Sequence, residues 1–165
     1  MRTHRFTVHA NLAPVDALFL WADLDRVTEW MEGVTRVSDI IGRPDRPGFT
    51  LPGRRSPLVL VPGSRYVLWY RLGPARLEVL PLEDAQAPLG HRTHVSGRFR
   101  RGEVRVEFEA EDGGSRVTMS VRTESLLPSI AGRLLTAGFY RGSFRSQLRS
   151  FARVAERERL GRLIL

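Results

Sequence analysis

The sequence predicts an α+β domain, an antiparallel sheet of about six or seven strands with one face covered by a long C-terminal helix. Three observations predict it. The last forty or so residues carry apolar side chains at helical spacing. The middle of the chain alternates apolar and polar residues at strand spacing, broken by turn signals. Two short helical stretches stand directly after the first strand.

The first strand is expected over residues 3–10, with Phe6, Val8 and Ala10 on one face and Arg5, Thr7 and His9 on the other. Asn11 offers a cap, and Pro14 sits where the start of a helix tolerates proline, so a short helix follows over 14–22. It would bury Leu18 and either Trp21 or Phe19. Asp23 can cap a second short helix over 24–31, ended by Gly33, and 34–41 reads as the second strand. Residues 42–63 hold five prolines and four glycines, which argues for a loop or a broken strand. Within them, 49–51 and 58–61 are expected to pair briefly. Loops of this length often serve as lids or rims.

A meander comes next, with strands expected over 65–72, 75–83, 91–99, 103–111 and 116–123. Gly73-Pro74 and residues 84–90, 100–102 and 112–114 read as turns. In the fourth of these strands Glu103, Arg105, Glu107 and Glu109 alternate with Val104, Val106, Phe108 and Ala110. In the fifth, Arg116, Thr118, Ser120 and Arg122 alternate with Val117, Met119, Val121 and Thr123. The Glu and Arg rows are expected to face each other as a solvated surface ladder, not a site.

In the final helix Ile130, Leu134, Ala137, Phe144, Leu148, Phe151 and Ala155 fall within about 50° of a common direction. Arg141 lies in the same stripe. A guanidinium on a buried face must be paired or solvated in a cavity, because burying it bare costs several kcal/mol. A helix that closes over a sheet with a charge on its inner face implies a ligand chamber. Leu135 and Phe139 point away from that stripe, and the chain ends in Leu160, Leu163, Ile164 and Leu165. These suit either a homodimer or docking contact, or packing beneath the proline-rich segment.

At 165 residues the chain is most simply one domain, taken here as 1–158, with an apolar tail over 159–165. The formal charge of +8 invites a nucleic-acid reading. All 26 basic residues are arginine, however, and they are dispersed without a dense tract or interleaved aromatics. No specific nucleic-acid site is expected, whereas peripheral contact with anionic lipid fits the charge. No apolar run is long enough to span a membrane, and the first residues lack the apolar core of a signal peptide. With no cysteine, the chain reads as cytoplasmic.

One order remains to be explained: a strand, two short helices, a long meander and a closing helix. Together with Ala13-Pro14-Val15-Asp16-Ala17-Leu18-Phe19, the stretch 23–30, Gly63-Ser64-Arg65-Tyr66, Gly114-Ser115-Arg116-Val117-Thr118 and the segment 130–154, it resembles the START-like or SRPBCC superfamily. That superfamily includes polyketide cyclase/dehydrase-type proteins and the birch-pollen allergen. The resemblance covers nearly the whole chain and rests on fold markers, none of them catalytic. It implies a helix-grip fold, in which a curved sheet wraps the C-terminal helix around an apolar cavity closed at one end by the two short helices. The length of the 42–63 segment departs from the family's second hairpin.

No metal site is expected: His91 and His94, like His4 and His9, fall out of phase on their strands. No phosphate loop and no nucleophile–base constellation is visible, and no cofactor is implied. The candidates are cavity residues. Tyr66 and Tyr70 share an uncharged strand face, and Thr93 shares one with His91, Val95, Gly97 and Phe99. Arg141, Tyr66, Tyr70, Thr93, Phe144 and Trp30 are the expected ligand contacts, although the aromatics among them would serve equally as core or rim. Arg141 suits a carboxylate or phenolate, or else a salt bridge at the cavity rim. Should the chamber be catalytic, His91, Tyr66 and Arg141 are the expected proton-handling groups. Three functions follow: carriage of a hydrophobic lipid-like or aromatic molecule, cyclisation or dehydration of a polyketide, or a ligand-free interaction module. A closed apolar cavity, convergent titratable groups, and a filled core with an exposed apolar patch would respectively distinguish them.

Overall fold

In β1 (Arg2–Ala10) the strict alternation of the sequence buries Phe6 and Ala10, half-buries Val8 and leaves Arg5, Thr7 and His9 exposed. The computed structural model describes residues 2–41, 62–71, 73–81, 89–97, 100–125 and 129–163. After β1 come α1 (Pro14–Ala22), with its proline in the first turn, and α2 (Val27–Trp30). Next are β2 (Val34–Ile41), β3 (Arg65–Tyr70), β4 (Gly73–Leu80) and β5 (Gly90–Gly97). The long pair β6 (Arg100–Glu111) and β7 (Gly114–Ser125) leads into α3 (Ile130–Leu163). The proline-rich stretch 42–61 and its expected short pairings, along with Phe99, lie outside the described residues.

All seven strands form one curved antiparallel sheet in the order β1-β7-β6-β5-β4-β3-β2. The chain thus closes its first strand against its last and descends the sheet by hairpins. The β6–β7 register sets Glu103 opposite Arg122 and Glu109 opposite Arg116, the expected ladder. Arg92 on β5 extends it, with its Nε 2.6 Å from a carboxylate oxygen of Glu103. On the same outer face Arg36 stacks over Trp69, whose indole N–H donates to Ser38.

Three boundaries differ from the sequence expectation. The second helix is a single turn, and α1 buries Ala17, Leu20 and Trp21 while Leu18 and Phe19 stay half-buried. Gly73-Pro74 is not a turn but the start of β4, opposite Tyr70 and Trp69, a strand-end position where a missing N–H is tolerated. Residues 100–102 belong to β6, and Gly102 packs so closely on β7 that a Cβ would stand 2.2 Å from the carbonyl oxygen of Arg122. Glycine is there for close approach, not for a turn. The β6–β7 turn falls within 112–114 as expected, at Asp112-Gly113, with Gly113 at φ +72°.

The core lies between the sheet and the second half of α3. Phe151 is fully buried and meets Trp21 and Trp30 edge-on, with ring centroids 5.2 and 5.5 Å apart. Leu148, Val154 and Ala155 complete the buried stripe. Two residues of the same phase are not buried. Ile130 is 77% exposed and Arg141 is exposed, although both share the azimuth of Leu148. An apolar phase is buried only where a partner lies beneath it. The side chains of Leu135 and Phe139 lie outside the described residues, and α3 continues through 159–163, the stretch expected as a tail. Among the described residues no helix is long and apolar enough to cross a membrane.

Candidate functional site

Between α3 and the concave face of the sheet lies a cavity of about 400 Å³. Its walls are Leu68, Leu77, Val95, Val104 and Met119 from five successive strands, faced by Phe144 of α3. Trp21 of α1 stands at the inner end. Small residues on three neighbouring strands help to leave the hollow, two of them directly paired and the third offset along the sheet. Ala75 of β4 pairs with Gly97 of β5, and Gly102 of β6 pairs with Val95 beside it.

The mouth is formed by the segment Met31–Gly33 after α2, by Arg71, Gly73 and Pro74, by Arg101, and by Ser143 of α3. It is pinned across the opening by Glu32, whose carboxylate accepts from Ser146 at 2.7 Å and Ser150 at 3.1 Å. Those two hydroxyls, helped by Arg153, hold the Glu32 carboxyl below its usual range. Arg71 and Arg101 are exposed, and Arg101 lies 3.2 Å from Glu124. The charges of the chamber are therefore at its mouth.

Inside, the polar groups are uncharged. Tyr66 reaches from β3 across β4 to hydrogen-bond Thr93 on β5, and Thr93 Oγ1 lies 3.1 Å from Nδ1 of His91. Burial pushes the Tyr66 phenol above its ordinary value, with the neighbouring Tyr70 adding to the shift. It pushes His91 down to about 4. Both are neutral at pH 7. The Tyr70 hydroxyl donates to Met31 Sδ at 3.2 Å, tying β3 to the rim. Gln147, buried on α3, completes the polar lining opposite.

Of the expected contacts, Tyr66, Tyr70, Thr93 and Phe144 come together in this chamber. Three others do not line it. Arg141 is exposed and is not among the residues that line the chamber. Trp30, 1% exposed, stacks behind Trp21 at a centroid distance of 4.3 Å and belongs to the core. His91 stands behind Thr93, and its link to the chamber runs through that hydroxyl. Gln147 and Met119 join the lining without having been expected there. Gln147 falls on the stripe's edge, three residues after Phe144, a position that could have revealed it. Among the described residues no group of His, Asp and Glu could hold a metal ion.

No protein-family model matches the chain, and no curated protein matches its sequence. Solved structures do. The structure of TTHA0849 from Thermus thermophilus superposes with a TM-score of 0.67 at 18% identity, over 95% of this chain and 99% of that one. A START superfamily protein from Mycobacterium smegmatis gives a TM-score of 0.61 at 11% identity, over 92% and 97% of the two chains. Ara h 8.0201 gives 0.56 at 12% identity, over 91% and 97%. The chain has the START-like helix-grip fold. In helix-grip terms, α3 is the gripped helix and the chamber is the space the grip leaves open.

Proposed function

We propose that this protein binds and carries an apolar small molecule, lipid-like or aromatic, in the chamber beneath α3. The observation that carries the reading is the cavity of about 400 Å³ with aliphatic and aromatic walls and all its charges at the mouth. Its size lies within the range of small-molecule sites. A ligand-free interaction module would have a filled core at this level, so the hollow favours a carrier.

The cyclase or dehydrase reading has the convergent groups it needs, Tyr66 and His91 meeting at Thr93. Their proton affinities speak against it. A proton-transfer group works best near the operating pH, and burial drives these two away from neutrality in opposite directions. Binding accounts for the arrangement without turnover. The exposed Arg71 and Arg101 at the mouth, with Arg141 just before the lining residue Ser143, support peripheral contact with anionic lipid during loading. A cytoplasmic carrier lacking cysteine fits this use.

Native mass spectrometry of the freshly purified protein tests the reading. The expected result is a discrete adduct released by organic solvent, lost in Val95→Trp, which puts an indole into the chamber. A bare mass, together with no uptake of Nile red or of a lipid and polyphenol panel, would overturn it.

A further inference from the structure

The polar pole of the chamber restricts the ligand further, an inference that rests on the carrier reading above. His91 is buried, and its Nε2 has no hydrogen-bond partner among the described residues. Two neutral tautomers are available. With the proton on Nε2, a buried donor would be left without an acceptor. With the proton on Nδ1, only a lone pair is left bare, which is the less costly state. The ring therefore donates from Nδ1 to Thr93 Oγ1.

That direction propagates. Thr93 accepts from His91, so its own hydrogen is available for the phenol oxygen of Tyr66. Tyr66 then accepts from Thr93, and its hydroxyl hydrogen has no acceptor among the described residues. The ring lies against β4 and lines the chamber, so this hydrogen is available to an acceptor inside it.

We propose that the Tyr66 hydroxyl donates to an uncharged acceptor oxygen, a ketone or ester carbonyl, carried by an otherwise apolar ligand. A carboxylate at this depth would lose its hydration with no cation beside it, since the lining arginines are both exposed at the mouth. A plain hydrocarbon would fill the space but leave the hydroxyl unpaired. The neutral chain His91–Thr93–Tyr66 thus selects a carbonyl against both.

The test is displacement of Nile red at pH 7 by 2-undecanone, undecane and undecanoate, with the infrared carbonyl stretch of bound 2-undecanone as a second measurement. The expected result is displacement by the ketone at a concentration about tenfold below the other two. The bound carbonyl stretch should shift to lower frequency, and Tyr66→Phe should abolish both effects. Equal displacement by ketone and hydrocarbon, or an unshifted stretch in the unaltered protein, overturns the inference while the carrier reading stands. The stretch decides even if Tyr66→Phe does not fold. Failure of the chamber to take up Nile red or any of the three compounds overturns the carrier reading itself, and this inference with it.

Discussion

Nδ1 of His91 lies 3.1 Å from the hydroxyl oxygen of Thr93, two residues further along β5, and the two side chains share the concave face of the sheet. That spacing places a titratable ring behind a chamber wall, buried but joined to the interior by a single hydroxyl. Burial alone holds its pKa near 4, against an ordinary 6.5. The consequence for stability has a definite sign. Between these two values the unfolded chain binds a proton that the folded one does not, so stability is full above pH 6.5 and falls as the pH drops toward 4.

Integrating that difference gives a loss of about 2 kcal/mol between pH 7 and pH 5. Urea denaturation at the two values measures it. His91→Asn offers an amide in place of Nδ1 without a titratable ring, and is expected to flatten the pH dependence by that amount. An unchanged slope would mean that His91 ionises freely in the folded protein.

The aromatic junction in the second half of α3 gives a second expectation. Phe151 is fully buried among Trp21, Trp30 and Phe108, and the closest of these rings is 5.2 Å from it. Phe151→Ala removes a ring that several elements share. It should cost about 3–5 kcal/mol and shift the tryptophan emission as the two indoles lose their neighbour. A cost below about 1 kcal/mol would show that α1 and α2 do not depend on α3 for their packing.

Glycines at two positions should respond in opposite directions. Gly102→Ala would press a methyl within 2.2 Å of the Arg122 carbonyl, forcing β6 and β7 apart; thermal unfolding should show a loss of several kcal/mol. Gly142 is exposed within α3 and has open space at its Cβ position. Gly142→Ala should stabilise the helix by about 0.5–1 kcal/mol. A stabilised Gly102→Ala would place β6 differently from this register.

How much of this was legible in the sequence depended on whether neighbours in space were also neighbours in pattern. The β6–β7 ladder was readable because Glu and Arg alternate with valines on both strands, and antiparallel pairing follows from one tight turn. The inward face of β3 was readable because Tyr66 and Tyr70 share it without a charge. The hollow was not, since Ala75 and Gly97 meet only through the register of β4 and β5. Nor was the Tyr66–Thr93 bond, which skips over β4.

Arg141 shows the limit of periodicity most directly. Its azimuth on α3 matches that of the buried Leu148, yet it is exposed, because a helical wheel records direction and not what lies beneath. Arg141→Ala is accordingly expected to change the affinity of a chamber ligand by less than about twofold. Nile red titration measures it, and a tenfold loss would restore the guanidinium to the binding site.

The charges at the mouth give the last expectation. Arg71 and Arg101 both line the opening from the sheet side and are exposed. An arginine near an anionic bilayer contributes about 1 kcal/mol, so replacing both with glutamine should weaken binding to phosphatidylglycerol-containing vesicles by about thirtyfold. Raising the salt should have the same effect, because the attraction is screened within about a Debye length of 8–10 Å. Pure phosphatidylcholine vesicles should retain little of either protein. Cosedimentation distinguishes the cases: equal binding of the two proteins to anionic vesicles would assign the contact to other arginines. Nile red uptake by the double variant should persist, since the apolar walls are untouched. Loading from a lipid surface and holding the ligand would then be separable properties of one chamber, the first set by its rim and the second by its interior.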